Sequence, residues 1–130
     1  LARLDTLTCE IEEHAPSVIV NHRESLLRRL READLEIDAG DERLLKEVAL
    51  FADRCDITEE IPRLRSHFRK FHTYMESADV VGRAMDFLCQ EINREFNTIG
   101  SKANDAVLAQ AVVHAKTDLE KIREQVQNIE

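Results

Sequence analysis

The chain has 130 residues, 34% of them charged and 5% aromatic, with three glycines, two prolines and no tryptophan. That suits one helical domain with a single buried core and leaves few turn-formers for a sheet. A net charge of −8 argues against a simple polyanion-binding module, and no apolar run reaches the roughly 18 residues of a membrane span. Nor does a basic-then-apolar leader open the chain, so secretion is unsupported.

Taken in order, the periodicity predicts five helical segments and no strand. The first covers about 4–33, with an interruption near Ala15-Pro16, either a kink or a break, because proline removes a helical hydrogen bond. Residues 35–40 read as a connector, and Asp41 is placed to cap a second helix running to Cys55, with Leu45, Val48, Ala52 and Cys55 inward. The third covers Ile57 to Met75, with Ile57, Ile61, Leu64, Phe68, Phe71 and Met75 inward, Thr58 as N-cap and Pro62 near the start. After a loop over 77–81 comes a fourth helix, about Gly82 to Thr98, burying Met85, Leu88, Ile92 and Phe96. Gly100-Ser101-Lys102 reads as a turn. Asn104 or Asp105 caps the last helix, which reaches about Asn128. Its apolar set, Leu108, Val112, Ala115, Leu119, Ile122, Val126 and Ile129, is a heptad seam. The fold class expected is all-α: an antiparallel bundle of about five helices with long coiled-coil-like seams. Residues 1–40 form an N-terminal helical region leading into a domain over 41–130.

Cys9, Cys55 and Cys89 have no CxxC spacing and sit at apolar-leaning helical positions. They read as buried free thiols in a reducing cytoplasm, not as a zinc site. His14, His22, His72 and His114 read as surface or structural residues.

Two polar constellations stand out. On the third helix Glu60, Arg63 and His67 share a face, with Asp56 and Glu59 nearby. Carboxylates can hold Mn²⁺ or Mg²⁺ against a phosphate, and histidine can move a proton near neutral pH. The same acids are also favourable at a helix N-terminus without any site. On the fourth helix Asp86, Gln90, Asn93, Arg94 and Asn97 make a face denser in amides and mixed charge than solubility needs, and Glu91 and Glu95 join them in the candidate constellation. Glu91 and Glu95 lie four apart and repel, which Arg94 or a divalent cation would relieve. A buried polar network between helices is the competing reading. Thr98-Ile-Gly-Ser-Lys102 lacks the first glycine and the spacing of a Walker loop.

Gly82–Lys102, together with Asp56-Ile-Thr-Glu-Glu-Ile-Pro-Arg-Leu-Arg-Ser-His67 and the closing Ile122-Arg-Glu-Gln-Val-Gln-Asn-Ile-Glu130, resembles the C-terminal domain of the bacterial YicC/YloC-like family. The likeness runs from about His14 to Glu130 in the family's order and spacing, with Phe96 where a small residue is expected. It implies a metal-dependent endoribonuclease in the cytoplasm and a C-terminal fragment of a longer protein. It implies a ring-like homo-oligomer, with six subunits as the candidate number. On that basis His67, Glu60, Glu91 and Glu95 are the expected catalytic residues. Glu47, Glu60, Glu91 and Glu95 are the expected ligands for Mn²⁺, with Mg²⁺ as the alternative. Arg63, Lys70, Arg83, Arg94, Asn97 and Lys102 are expected to hold RNA, most readily single-stranded or loop RNA. The alternative is a non-catalytic helical oligomerisation or RNA-binding module.

Overall fold

The computed structural model describes residues 1–33, 40–77 and 81–128. Five helices follow in order: α1 (Ala2–Glu32), α2 (Glu42–Arg54), α3 (Glu60–Met75), α4 (Gly82–Lys102) and α5 (Ala106–Gln127). No strand occurs among the described residues, so the all-α expectation holds.

Ion pairs and one side-chain hydrogen bond give the directions. Arg3 meets Asp118 and His14 meets Asp105, so α1 runs antiparallel to α5. Arg123 meets Asp86 while Lys116 meets Asn97, so α5 runs antiparallel to α4. Lys102 meets Glu60 and Arg63 meets Glu95, so α4 runs antiparallel to α3. With α3 also packed on α1, the four long helices form a ring of antiparallel neighbours, and α2 lies against α1. One core, from Leu4 to Val126, draws on all five helices, so the N-terminal helix shares the core of the rest.

The α5 seam behaves as its heptad predicts. Leu108, Val112, Ala115, Leu119 and Val126 are buried and Ile122 is partly buried; Ile129 lies outside the described residues. Met85, Leu88, Ile92 and Phe96 of α4 are buried as expected.

Four expectations change. First, α1 continues through Pro16. Buried Leu4, Leu7, Thr8 and Ile11 before it and Val18 after it hold both halves to the bundle, and packing outweighs one lost backbone bond. Second, α2 turns Leu44 and Phe51 inward, leaving Leu45 exposed. Val48, Ala52 and Cys55 are half-buried, and Phe51 joins them by meeting His22 of α1 face to face, with ring centroids 3.7 Å apart.

Third, α3 begins at Glu60 and lacks a Thr58 cap; the Asp56 carboxylate instead accepts from the Thr58 N–H. Met75, at its far end, is exposed. Fourth, α4 runs through Gly100 to Lys102. A Cβ at Gly100 would lie 3.3 Å from Val112 Cγ1, so glycine here permits close approach of α5 and does not end the helix. Asp105 caps α5, accepting from the Leu108 N–H. The connector expected over 35–40 falls mostly on residues outside the described set, as does much of the loop over 77–81.

The cysteines are free and graded in exposure: Cys9 exposed, Cys55 intermediate, Cys89 buried. Of the three expected buried thiols only Cys89 is one; Cys55 is half-buried, and the departure is largest at Cys9. It sits beside the Arg65 guanidinium, which also grips Glu12 with both terminal nitrogens.

Candidate functional site

The α3 constellation meets two members of the α4 one, Glu91 and Glu95, at the α3–α4 seam. Ile57 and Ile61 are buried, and they anchor the start of α3 so that Glu60 turns into the bundle. Glu60 is 2% exposed. Its Oε1 accepts from Lys102 Nζ at 2.8 Å, and the same ammonium donates to the Asp56 carbonyl at 3.0 Å. The hydrogen bond that Lys102 donates to Glu60 raises the Lys102 pKa above the ordinary lysine value. Glu60 Oε2 is buried without a hydrogen-bond partner. Asp56 itself is held below the usual carboxylate range, chiefly by the Thr58 N–H.

One turn along, Arg63 donates to Glu59 at 2.8 Å and faces Glu95 across the seam at 3.6 Å, an ion-pair separation too long for a hydrogen bond. Glu95 is 6% exposed, beside fully buried Phe96. The repulsion expected between Glu91 and Glu95 is therefore met by Arg63 from α3. Arg94 points to solvent on another edge of α4.

By the antiparallel register that Arg63 and Glu95 set, His67 and Glu91 fall at the same level one turn further along, each half-buried. Lys70 continues the α3 edge and is exposed. Thus Glu60, Arg63, His67, Glu91, Glu95 and Lys102 share one seam. Glu47 does not join them: it lies exposed on α2 with Arg54 at 3.5 Å.

The rest of the α4 constellation faces elsewhere. Asp86 accepts from Gln90 and from Arg123 of α5, each at 3.2 Å, and Asn97 accepts from Lys116 of α5. Asn93 lines the α4–α5 groove with Cys89 and Glu120. Arg83 is at the first turn of α4, far from Lys102.

Sequence reasoning missed Glu59 as the Arg63 partner, although the two are four apart. It missed the His14–Asp105 bond, at 2.9 Å, because the partners lie at opposite ends of the sequence.

Chemically, the seam presents a guanidinium and an ammonium at its rim, each held by a buried carboxylate from the other helix. Both cations keep further N–H donors for an incoming anion. Among the described residues no three His, Cys, Asp or Glu side chains converge to hold a metal ion. The carboxylates of one chain, with Glu60 and Glu95 already facing cations, do not fit a cation held by protein ligands alone. Among the described residues no helix is long and apolar enough to cross a membrane.

The family model for the endoribonuclease YicC-like C-terminal domain matches residues 11–130. The chain belongs to that family. It is 48% identical over 122 residues to the probable endoribonuclease YicC of Clostridioides difficile (strain 630), covering 93% of this chain and 42% of the relative. To the probable endoribonuclease YicC of Haemophilus influenzae it is 37% identical over 131 residues, covering 98% of this chain and 45% of the relative. The chain thus spans less than half the length of either relative. The YicC-like match covers every residue of the α3–α4 seam.

Proposed function

We propose that this domain contributes to the cleavage of RNA phosphodiester bonds by a cytoplasmic endoribonuclease, with RNA held against the α3–α4 seam. The observation that carries the reading is that two nearly buried carboxylates, Glu60 and Glu95, each face a cation at the seam's rim. Burying acids in this way is costly unless they are paired, and the pairing fixes Lys102 and Arg63 in place. The two cations then meet the phosphate without first reorganising.

Cleavage forms a bond from an oxygen nucleophile to phosphorus and breaks the bond to the leaving oxygen. His67 takes the proton of the nucleophile, and Glu91, at the same level, stabilises the resulting imidazolium. Arg63 and Lys102 counter the charge gathering on the phosphoryl oxygens. Lys70, Arg83, Arg94 and Asn97 extend the RNA contact beyond the seam. Unpaired or loop RNA suits an exposed helix edge better than a duplex groove does.

No step is derived through a metal. Dependence on Mn²⁺ or Mg²⁺ is proposed in the form in which phosphate and water supply most ligands and only one or two carboxylates are needed. A ring-like homo-oligomer is part of the same proposal.

The test uses full-length protein and a loop-containing RNA, with Mn²⁺, with Mg²⁺ or with chelator. His67→Asn should lose about 10²- to 10⁴-fold in rate. Arg65→Ala, on the α1 side, should cut at the parent rate. A shift without cleavage in the parent would make the protein an RNA-binding adaptor, and neither shift nor cleavage an oligomerisation scaffold.

A further inference from the structure

The outer edge of α4 carries a second stripe, separate from the seam. Arg83, Phe87, Gln90, Arg94, Asn97 and Ser101 follow one another at 4-3-4-3-4 spacing, and all are exposed. In a chain with 26 acidic residues, this stripe has none. Lys116 of α5 reaches Asn97 and adds a third cation beside Arg83 and Arg94. Near its N-terminal end Phe87 is 59% exposed, the most exposed large apolar side chain among the described residues. Met85 and Leu88, on either side in sequence, are buried, so Phe87 is not an edge of the core.

Beside the ring lies a cavity of about 280 Å³ between the start of α4 and the end of α5. Arg83, Asp86, Phe87 and Gln90 line it from α4, and Val126 and Gln127 from α5. The Asp86 charge is countered by Arg123, so the cavity is polar without being strongly anionic. Its volume falls just below the roughly 300 to 1,000 Å³ of pockets that enclose a drug-sized ligand, which suits a single planar ring better than a whole nucleotide.

We propose that Phe87 and this cavity form a subsite for one unpaired nucleobase of single-stranded RNA, with Arg83 and Arg94 holding the backbone on either side. The proposal rests on the RNA reading of the preceding subsection. An exposed aromatic ring offers a stacking face that any base accepts, and flanking cations follow the phosphates. The amides of Gln90 and Gln127 and the second lone pairs of Asp86 are able to meet the base edge. Arg83 and Arg94 are eleven residues apart, which on a helix is roughly 16 Å and spans a few nucleotides of extended strand.

The test is binding of a short single-stranded RNA carrying 2-aminopurine to full-length protein in chelator, read by fluorescence and by light-scattering mass. Phe87→Leu keeps helix propensity and apolar bulk but removes the π-face. It should weaken binding by about 5- to 150-fold and abolish the quenching that stacking produces. Phe87→Tyr should restore both. Parent affinity and quenching in Phe87→Leu would overturn the subsite, and cleavage of RNA by the same variant at the parent rate would leave the functional reading standing. A smaller mass in Phe87→Leu with RNA affinity unchanged would assign the face to contact between copies and likewise overturn it. A parent protein that binds no RNA would end both readings.

Discussion

Asp105 serves two helices at once. Its Oδ2 accepts from the Leu108 N–H at 3.0 Å, capping α5, and lies 2.9 Å from His14 Nε2 on α1. Asp105→Ala removes both and should cost about 1 to 3 kcal/mol in urea unfolding, since a cap alone is worth roughly 0.5 to 2 kcal/mol. Asp105→Asn keeps an acceptor for the cap and should lose less than half as much. Equal losses would mean that charge toward His14, not the cap, carries the effect. Cys89 gives a second residue-level expectation. Burial first, then the Asp86 charge, pushes its thiol up to about 11 from 9.0. The folded state therefore keeps a proton that the unfolded state sheds, and stability falls as pH rises from about 9 to 11. Lys102 acts in the same sense above the ordinary lysine value, because its raised pKa belongs to the folded state alone. Melting temperatures across this range should drop for the parent. Cys89→Ala should flatten the slope most between about pH 9 and 10, where lysines have shed few protons in either state; an unchanged slope there would place the titration elsewhere.

At the scale of elements, Gly100 sets how closely α4 and α5 approach. Alanine there gains helix propensity of up to about 1 kcal/mol, yet its methyl meets Val112 at 3.3 Å, a side chain that is stiff in a helix. Gly100→Ala alone should change stability by less than about 1 kcal/mol, and Gly100→Leu should cost about 1 to 3 kcal/mol by overpacking. Adding Val112→Ala should improve Gly100→Leu relative to the sum of the two single changes, measured as a double-mutant cycle. The same glycine marks the limit of what was legible in the chain. Heptad spacing revealed the buried faces of α4 and α5 because nearly every inward position there is apolar. It could not reveal that α4 passes through Gly100, since a packing glycine and a terminating glycine look alike in sequence. Nor could it reveal that α1 does not break at Pro16, since the surfaces on which its buried residues pack are on other helices. For the site, spacing placed Glu60, Arg63 and His67 on one face. It could not tell that Glu60 turns to Lys102 and Arg63 to Glu95, because the pairing depends on the antiparallel register of α3 and α4. The Phe87 stripe was readable as 4-3-4-3-4 spacing, with Met85 and Leu88 already placed inward; the cavity beside Phe87 was not, because it depends on how the end of α5 lies against the start of α4.

For the whole molecule, the ring of antiparallel helices makes the domain a single cooperative unit. Leu119, 3% exposed on α5, lies within a core shared with α1, α3 and α4. Leu119→Asp should therefore abolish the whole thermal transition, not only that of α5, because an unpaired charge has no route to water there. A surviving sharp transition would mean that the helices melt separately. Cooperativity is nonetheless uneven along α1. This helix has 31 residues, roughly 46 Å of axis, and its buried residues all lie between Leu4 and Val18. Beyond Val18 the helix has partners on α2, such as Phe51 against His22, but no buried residue of its own. Amide deuteration should therefore form a gradient on one continuous helix. Protons of the first half should exchange only through global unfolding, and those of residues 23–32 through fraying that leaves the bundle intact. Pro16, which carries no amide proton, is a silent position shortly before the crossover, so one helix would report two free energies of opening.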